Sequence, residues 1–251
     1  MTEPALSIVI PAFDEAGRIG PFLGEVARWI ADQSDDVEVI VVDDGSTDGT
    51  VEVVRGYADQ IPGLRVISLP ANRGKGAAVR TGLGAATGRQ RAFLDADGST
   101  PVEELERLRR AADAHPGAVV IGSIGVDGAT VHNDQLWVRR LAGTLGARLI
   151  AATTLPGVHD PQRGCKLLPA EVCGRVLPHC DTDGWAVDVE LLAVARRVGV
   201  PVIEVPVAWH HVDGTKVRIG SYPRTLAEVA RIRRRVRRIP VSDPVTSSPR
   251  S

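Results

Sequence analysis

Short apolar runs that end in acidic residues recur through the first hundred residues of the chain. The runs are residues 6–11, 37–42 and 91–94, and the acidic residues that follow them are Asp14, Glu15, Asp43, Asp44, Asp95 and Asp97. Such runs are typical of parallel strands that are buried on both faces. A helical pattern follows each run, which predicts an α/β fold with a mostly parallel sheet. The acidic residues would then meet at the carboxyl edge of the sheet, where ligands of open α/β sheets bind.

The composition excludes several classes of protein. The chain has 251 residues, of which 43% are hydrophobic and 24% are charged, and its net charge of −1 does not favour nucleic acid. Its three cysteines, Cys165, Cys173 and Cys180, form no Cys-x-x-Cys pair, which argues against a disulfide framework or a zinc ribbon. The sequence shows neither a signal-peptide pattern nor an apolar run long enough to span a membrane. We therefore expect one large globular domain in the cytoplasm.

The stretch Asp95-Ala96-Asp97 is the first candidate for chemistry. Two carboxylates placed two residues apart at a strand end can hold one divalent cation, and that cation can bridge to phosphate oxygens. The alternative is a solvated acidic turn. Thr100 as N-cap, Pro101 and Glu103 predict that a helix begins directly after this turn.

Asp43 and Asp44 form a second acidic pair at a strand end. Helix capping explains part of the following Gly-Ser-Thr-rich turn but not two adjacent carboxylates near the core, which need hydrogen-bond donors. A nucleobase imide and ribose hydroxyls are donors of this kind.

The segment 72–80 is rich in glycine and basic residues and opens a helix. Lys75 and Arg73 add positive charge where backbone N–H groups point outward, which favours a diphosphate. The spacing does not match a Walker motif, and a plain loop is the alternative.

The second half of the chain alternates less regularly. Strands are predicted at 118–124 and 202–207, and helices at 136–152 and 185–198. Between them, a polar loop at 159–167 enters an apolar stretch.

The C-terminal stretch 225–239 combines a helical apolar stripe with many arginines. Val229, Ile232, Val236 and Ile239 recur at helical spacing, and Glu228 is the single acid. The helix either docks on the domain through this stripe or rests on anionic lipid headgroups as a peripheral membrane contact. We divide the chain into a domain at 1–220, a basic helix at 221–240 and a disordered Ser/Pro-rich tail at 241–251.

Together these motifs resemble family 2 glycosyltransferases with the GT-A fold. The resemblance is carried by residues 9–15, 41–50 and 95–97, and residues 73–80, 160–168, 185–192 and 207–216 resemble the dolichyl-phosphate glucosyltransferase and polyprenyl-phosphate glycosyltransferase branch. It implies a Rossmann-like, mostly parallel sheet flanked by helices. It also implies an inverting transfer, dependent on Mg²⁺ or Mn²⁺, of a sugar from UDP-glucose to a prenyl or polyprenyl phosphate or a similar acceptor. GDP-mannose is the alternative donor.

The resemblance also implies roles for matching residues. Nucleotide-sugar contacts are expected from Pro11, Ala12, Phe13, Glu15, Asp43, Asp44, Lys75, Asp95, Ala96 and Asp97, and acceptor contacts from Gln162, Arg163, Gly164, Lys166 and Trp185. Metal ligands are expected from Asp95 and Asp97, while His211 is either a further ligand or an ordinary hydrogen-bonded histidine. Asp160 and Asp188 are the candidate bases, which a hydroxyl acceptor needs and an anionic phosphate does not.

The chain departs from the family pattern in three ways. The family usually has Asn at the position of Asp14, and the branch usually has Cys and Phe at the positions of Arg163 and Cys165. Many relatives also carry membrane segments, whereas this sequence shows none. Arg163 could therefore meet an anionic acceptor.

Three other functions stay open. They are a soluble glycosyltransferase with a small hydroxyl acceptor, a nucleotidyltransferase, and a non-catalytic module that binds nucleotide sugars. A nucleotidyltransferase would need a Gly-rich basic segment after the first strand, where residues 11–15 are acidic.

Overall fold

The computed structural model describes residues 3–132, 154–212 and 222–240 of the chain. The first half consists of β1 (Leu6–Ala12), α1 (Ala16–Ala31), β2 (Val37–Asp43), α2 (Thr50–Arg55), β3 (Arg65–Ser68), α3 (Lys75–Ala85), β4 (Gln90–Leu94) and α4 (Glu104–Ala114). The second half consists of β5 (Val119–Ser123), β6 (Thr130–His132), β7 (Cys165–Pro169), α5 (Ala170–Val176), a 3₁₀ turn (Leu177–His179), α6 (Val187–Arg197), β8 (Val202–Pro206), β9 (Ala208–His210) and α7 (Tyr222–Val236). The helix predicted at 136–152 and the tail at 241–251 lie outside the described residues.

Seven strands form the central sheet in the order β3-β2-β1-β4-β7-β5-β8. All of them run parallel except β7, which is antiparallel to both of its neighbours, β4 and β5. The predicted mostly parallel α/β sheet is therefore confirmed. The short strands β6 and β9 pair with each other outside this sheet.

The two faces of β1 show how the core is divided. Ile8 and Ile10 pack with Phe22 and other residues on one face of the sheet. Val9 belongs to the cluster on the opposite face, together with Leu83 of α3. Successive strand residues point to opposite faces, so an uninterrupted apolar run serves both layers of helices.

The carboxyl ends of β1, β2 and β4 meet at one edge of the sheet. Ala12 at the end of β1 pairs in register with Asp43 at the end of β2. Val9 of β1 pairs with Phe93 of β4, two residues before Asp95. The loops that follow these three strands therefore surround one region.

Two predicted helix starts differ from the structure. The helix predicted to begin at Pro101, with Thr100 as its N-cap, begins at Glu104. The N–H of Glu104 donates to the carbonyl of Pro101, three residues back, and not to that of Thr100, so a tighter turn precedes the α-helix. Helix α6 begins at Val187, which leaves Trp185 in a loop.

Helix α7 docks on the domain through its apolar stripe. Val229 and Ile232 are buried in the same core cluster as residues of α6. The arginines Arg231, Arg233, Arg234, Arg237 and Arg238 are exposed on the outside. Among the described residues, no helix combines the length and apolar character that crossing a bilayer requires.

Candidate active site

A cavity of about 790 Å³ opens at the carboxyl edge of β1, β2 and β4. It is lined by eleven of the residues predicted from the sequence, namely Pro11, Ala12, Phe13, Glu15, Asp44, Lys75, Asp95, Ala96, Asp97, Arg163 and Trp185. Asp43, Asp160, Gln162, Gly164, Lys166, Asp188 and His211 are not among its lining residues. The lining also includes Asp14, which the sequence placed at this edge, and Asn72, Gly74 and Ala78 of the predicted diphosphate segment. Arg18, Ser99 and Trp209 complete the lining, and the sequence did not indicate them as site residues.

An ion pair between Lys75 and Asp95 lies on the floor of the cavity. Nζ of Lys75, the first residue of α3, is 2.8 Å from Oδ1 of Asp95 and 3.3 Å from Oδ2 of Asp188. Burial would lower the pKa of Lys75, but the two carboxylates outweigh burial and raise it above its usual range. Burial would likewise raise the pKa of Asp95, and the ammonium group of Lys75 lowers it instead. Both groups are therefore charged at neutral pH.

Asp188 lies behind this pair and is 2% exposed. Its Oδ1 accepts a hydrogen bond of 2.5 Å from Nζ of Lys166, a fully buried residue of β7. Nζ of Lys166 also donates to the carbonyl of Arg163. Because each oxygen of Asp188 contacts an ammonium group, this carboxylate fixes two lysines. Lys166 faces Asp188 and does not line the cavity.

Asp95 and Asp97 supply hard oxygen ligands from one turn. Oδ1 of Asp97 accepts a hydrogen bond of 3.0 Å from the N–H of Ser99, which fixes the side chain, and Oδ2 has no hydrogen-bond donor among the described residues. Over the described ranges, no three His, Cys, Asp or Glu side chains form a metal cluster, so His211 is not brought together with this pair. A pair of carboxylates suits a Mg²⁺-type cation that takes its other ligands from water and phosphate.

Close packing places Gly164 against Asp95. The N–H of Asp95 donates to the carbonyl of Gly164 at 3.1 Å. A Cβ atom at position 164 would collide with the Asp95 carboxylate. Glycine at this position therefore lets the segment before β7 approach the acidic turn.

Protein donors satisfy the acidic pair at the end of β2. The two oxygens of Asp44 accept hydrogen bonds from the N–H groups of Arg73 and Gly74, at 2.8 and 2.7 Å. Oδ1 of Asp43 accepts from the N–H of Ser46 at 3.0 Å. The donors that this pair requires are therefore present in the protein itself, and the contact of the pair with a nucleoside stays a prediction. Asp44 still lines the cavity, and it positions the loop that precedes Lys75.

The loops after β1 and β2 are locked together. Asp14 has a left-handed φ of 47°, its N–H donates to Oγ of Ser46, and its Oδ1 accepts from the N–H of Thr47 at 2.9 Å. The N–H of Glu15 donates to Oγ1 of Thr50 at 2.8 Å. These bonds shape one wall of the cavity.

Arg163 and Trp209 form the opposite wall. Cζ of Arg163 lies 4.8 Å from the ring centroid of Trp209, and its Nε donates to Oδ2 of Asp160 at 3.1 Å. Oδ2 of Asp160 also accepts from the N–H of Ile124 at 3.3 Å. The available sequence signal for Trp209 was an aromatic residue in the polar segment after a predicted strand.

The loop 181–186 supports the floor of the cavity from below. The carbonyl of Asp183 accepts a hydrogen bond of 2.8 Å from the N–H of Gly76 at the start of α3. Glu190 accepts from the N–H groups of Asp181 and Thr182. Nζ of Lys75 lies 5.9 Å from the ring centroid of Trp185, the exposed aromatic residue of this loop. The loop therefore fixes the helix end that carries Lys75.

Comparisons with known proteins assign this site to a class of enzyme. The model of glycosyl transferase family 2 matches residues 7–177. A dolichyl-phosphate β-glucosyltransferase of Trichomonas vaginalis is 32% identical over 239 residues, which cover 90% of this chain and 72% of that protein. The dolichyl-phosphate β-glucosyltransferase of Homo sapiens is 32% identical over 228 residues, covering 84% of this chain and 69% of that protein.

Solved structures share the fold. The glucosyl-3-phosphoglycerate synthase of Mycobacterium tuberculosis, in complex with Mn²⁺ and UDP-glucose, superposes with a TM-score of 0.70 and 23% identity over 92% of this chain and 79% of that chain. The family model and the relatives show that this α/β protein is a transferase, and its cavity lies at the carboxyl edge of the sheet. The chain belongs to glycosyltransferase family 2 and is a glycosyltransferase. The predicted family and the predicted GT-A fold are confirmed.

Proposed function

We propose that the chain transfers glucose from UDP-glucose to a polyprenyl phosphate, with a divalent cation held by Asp95 and Asp97. The observation that carries this proposal is the meeting of these two carboxylates with Lys75 in one cavity. The relatives that are about one third identical are dolichyl-phosphate β-glucosyltransferases, which supports both the glucosyl group and the acceptor.

Different residues of the cavity contact the nucleoside and the diphosphate of the donor. The loops after β1 and β2 hold the nucleoside, with Phe13, Asp14 and Asp44 in the wall. Lys75, at the N-terminus of α3, contacts the diphosphate. Its positive charge and the helix dipole stabilise the negative charge that develops on the leaving diphosphate. A bound divalent cation would neutralise further charge on the leaving diphosphate.

A phosphate acceptor removes the need for a general base. Its oxygen is already anionic at neutral pH and attacks the anomeric carbon from the face opposite the diphosphate, which inverts the configuration. Asp188, the first candidate base, has both oxygens on ammonium groups. Asp160, the second candidate, is buried outside the cavity lining.

The test is a transfer assay with purified protein, labelled donor and dolichyl phosphate, with Mg²⁺ or Mn²⁺. UDP-glucose is compared with GDP-mannose, and Asp97→Asn with the matched variant Asp113→Asn, which changes an exposed residue of α4. We expect transfer from UDP-glucose, a loss of about 100-fold or more in Asp97→Asn, and no change in Asp113→Asn. Full activity of Asp97→Asn, or full activity of the wild type in excess chelator, would exclude the metal site.

We further propose that the exposed arginines of α7 and of the turn that follows it hold the enzyme on anionic lipid. Five of them lie outside the docked stripe, while Glu228, the single acid of the helix, is buried. Because the stripe is used for docking, attachment would be electrostatic, with about 1 kcal/mol from each basic residue near the surface. Co-sedimentation with vesicles of anionic or neutral lipid tests this proposal. Replacing Arg231, Arg234 and Arg238 with Gln should release the protein from the anionic vesicles. Equal binding of the wild type and this triple variant would exclude this surface.

A further inference from the structure

We propose that the guanidinium group of Arg163 binds the phosphate of the acceptor, and that Trp209 and Asp160 hold it in position. The inference rests on the proposed function and deepens it. It names the residue through which the enzyme selects a phosphorylated acceptor.

The position of Arg163 in the sheet separates it from the nucleotide loops. Neighbouring strands run in the order β2, β1, β4 and β7. Asp44 follows β2, Phe13 follows β1, Asp95 follows β4, and Arg163 precedes the antiparallel β7. The cavity wall therefore passes from the nucleoside loops, across the acidic turn, to Arg163. An acceptor that attacks away from the diphosphate would enter on the Arg163 side.

Two contacts hold the guanidinium group. It lies over the Trp209 ring, with Cζ 4.8 Å from the ring centroid. Its Nε donates to Oδ2 of Asp160 at 3.1 Å, and the side chain stays 22% exposed. A guanidinium fixed at one edge and one face loses little rotamer freedom when it binds a ligand.

The terminal nitrogens of Arg163 are the donors that remain for a ligand. Within the described ranges, Nη1 and Nη2 form no hydrogen bond with the protein. Of the other cations of the lining, Arg18 binds both oxygens of Glu15, and Lys75, which pairs with Asp95 and Asp188, has the donor diphosphate as its ligand in the proposed function. Two parallel N–H groups match two oxygens of a phosphate.

Asp160 acts in this arrangement as a positioning residue. Its Oδ2 accepts hydrogen bonds from Nε of Arg163 and from the N–H of Ile124, which ties the arginine to the end of β5. The residue is 8% exposed and does not line the cavity. It therefore reaches the acceptor only through Arg163.

The first experiment measures kinetics of the full chain with UDP-glucose, Mn²⁺ and farnesyl phosphate as a water-soluble probe. Arg163→Met is compared with Arg163→Lys and with Arg110→Met, a charge-matched change at an exposed residue of α4 that, among the described residues, bonds only the carbonyl of Glu106 in its own helix. We expect Arg163→Met to raise the acceptor KM by about 10- to 100-fold. Arg163→Lys should be intermediate, and the KM for UDP-glucose should stay within about twofold in all three variants.

The second experiment separates positioning from base catalysis. Asp160→Asn should raise the acceptor KM. The double variant Asp160→Asn/Arg163→Met should have the same acceptor KM as Arg163→Met alone, because both changes remove the same contact. A fall in kcat with an unchanged acceptor KM, and a lost limb in the pH–rate profile, would instead make Asp160 the base.

Binding without turnover keeps the two proposals apart. Calorimetry with farnesyl phosphate and farnesol, in the absence of donor, should show that the wild type prefers the phosphate and that Arg163→Met loses this preference. Wild-type enzyme that binds farnesyl phosphate but transfers to no phosphorylated prenol would contradict the proposed function only. The present inference would be overturned if Arg163→Met keeps its affinity for farnesyl phosphate, or if it loses affinity for UDP instead.

Discussion

The ammonium nitrogen of Lys75 lies 2.8 Å from Oδ1 of Asp95. Lys75 begins α3 and Asp95 follows β4, so the pair joins the start of this helix to the acidic turn. In the protein without ligand, the lysine offsets one of the two carboxylates that would face a cation. Replacing Lys75 should therefore change the affinities for the cation and for the nucleotide in opposite directions.

Lys75→Met should bind Mn²⁺ more tightly than the wild type in the absence of nucleotide. It should bind UDP in the presence of Mn²⁺ less tightly, with changes of about tenfold in each direction. The methionine side chain can occupy the space beside the rings of Phe93 and Trp185, so the fold should persist. Calorimetric titrations of both ligands measure the effect, with Arg110→Met as the charge control. Parallel changes in both affinities would contradict the expected role.

Asp14 should tolerate Asn better than Ala. Its φ of 47° lies in the left-handed region, which Asn and Asp adopt more readily than other side chains, and its Oδ1 accepts from the N–H of Thr47. Asp14→Asn keeps both features and should change the free energy of unfolding by less than about 0.5 kcal/mol. Asp14→Ala loses both and should cost about 1–3 kcal/mol. Urea denaturation compares them, and equal stability of the two variants would show that neither feature matters.

Glu38 should stabilise the fold at neutral pH and lose this effect in acid. Burial would raise the pKa of its carboxyl group, but hydrogen bonds from Ser7, Thr87 and Arg65 outweigh burial and lower it. The folded protein therefore binds this proton less tightly than the unfolded chain. The stabilisation is complete above the unfolded pKa of about 4.3 and disappears as the pH falls through the lower, folded pKa.

The variant Glu38→Gln tests this pH dependence. The difference in unfolding free energy between wild type and variant should be about 1–3 kcal/mol at pH 7 and should shrink below pH 4. A difference that does not depend on pH would mean that shape, and not charge, makes the contribution.

The three thiols should be unreactive in the folded protein. Cys165, Cys173 and Cys180 are buried, and burial raises the pKa of each thiol to about 12. A disulfide reagent at pH 8 should label them only after guanidinium is added, because the thiolate is the reacting form. Fast labelling of the native protein would show that one of these sites opens.

Ile232 should matter far more for stability than Leu226 on the same helix. Ile232 is 1% exposed and Leu226 is 42% exposed. Ile232→Ala should cost about 2–5 kcal/mol, whereas Leu226→Ala should cost less than about 0.5 kcal/mol. Thermal or urea denaturation of both variants checks this, and equal effects would contradict docking of α7 through its stripe.

Local patterns were sufficient to predict the parallel part of the fold and the acidic turn. Strands β1, β2 and β4 are mostly apolar, and Asp95 and Asp97 closely follow the last of them. Strand order then brings these ends together without further information. Most of the predicted nucleotide-sugar residues line one cavity, and their roles stay predictions.

Other features depend on contacts between distant segments. Strand β7 carries the buried Lys166, whose charge interrupts the apolar pattern and is compensated by Asp188, 22 residues later. Trp209 lies on the three-residue strand β9, which is too short to show a pattern. The donors for Asp44 come from residues 73 and 74, and nothing near Asp44 in the sequence indicates them.

The antiparallel position of β7 has a consequence for how the chain folds during synthesis. This strand fills the gap between β4 and β5, although about 70 residues separate it from β4 in the sequence. Until the ribosome has released residue 169, β4 and β5 each present an open edge with unpaired N–H and carbonyl groups. Open edges of this kind recruit strands from other chains, so nascent chains that pause before β7 would be the species most prone to aggregation.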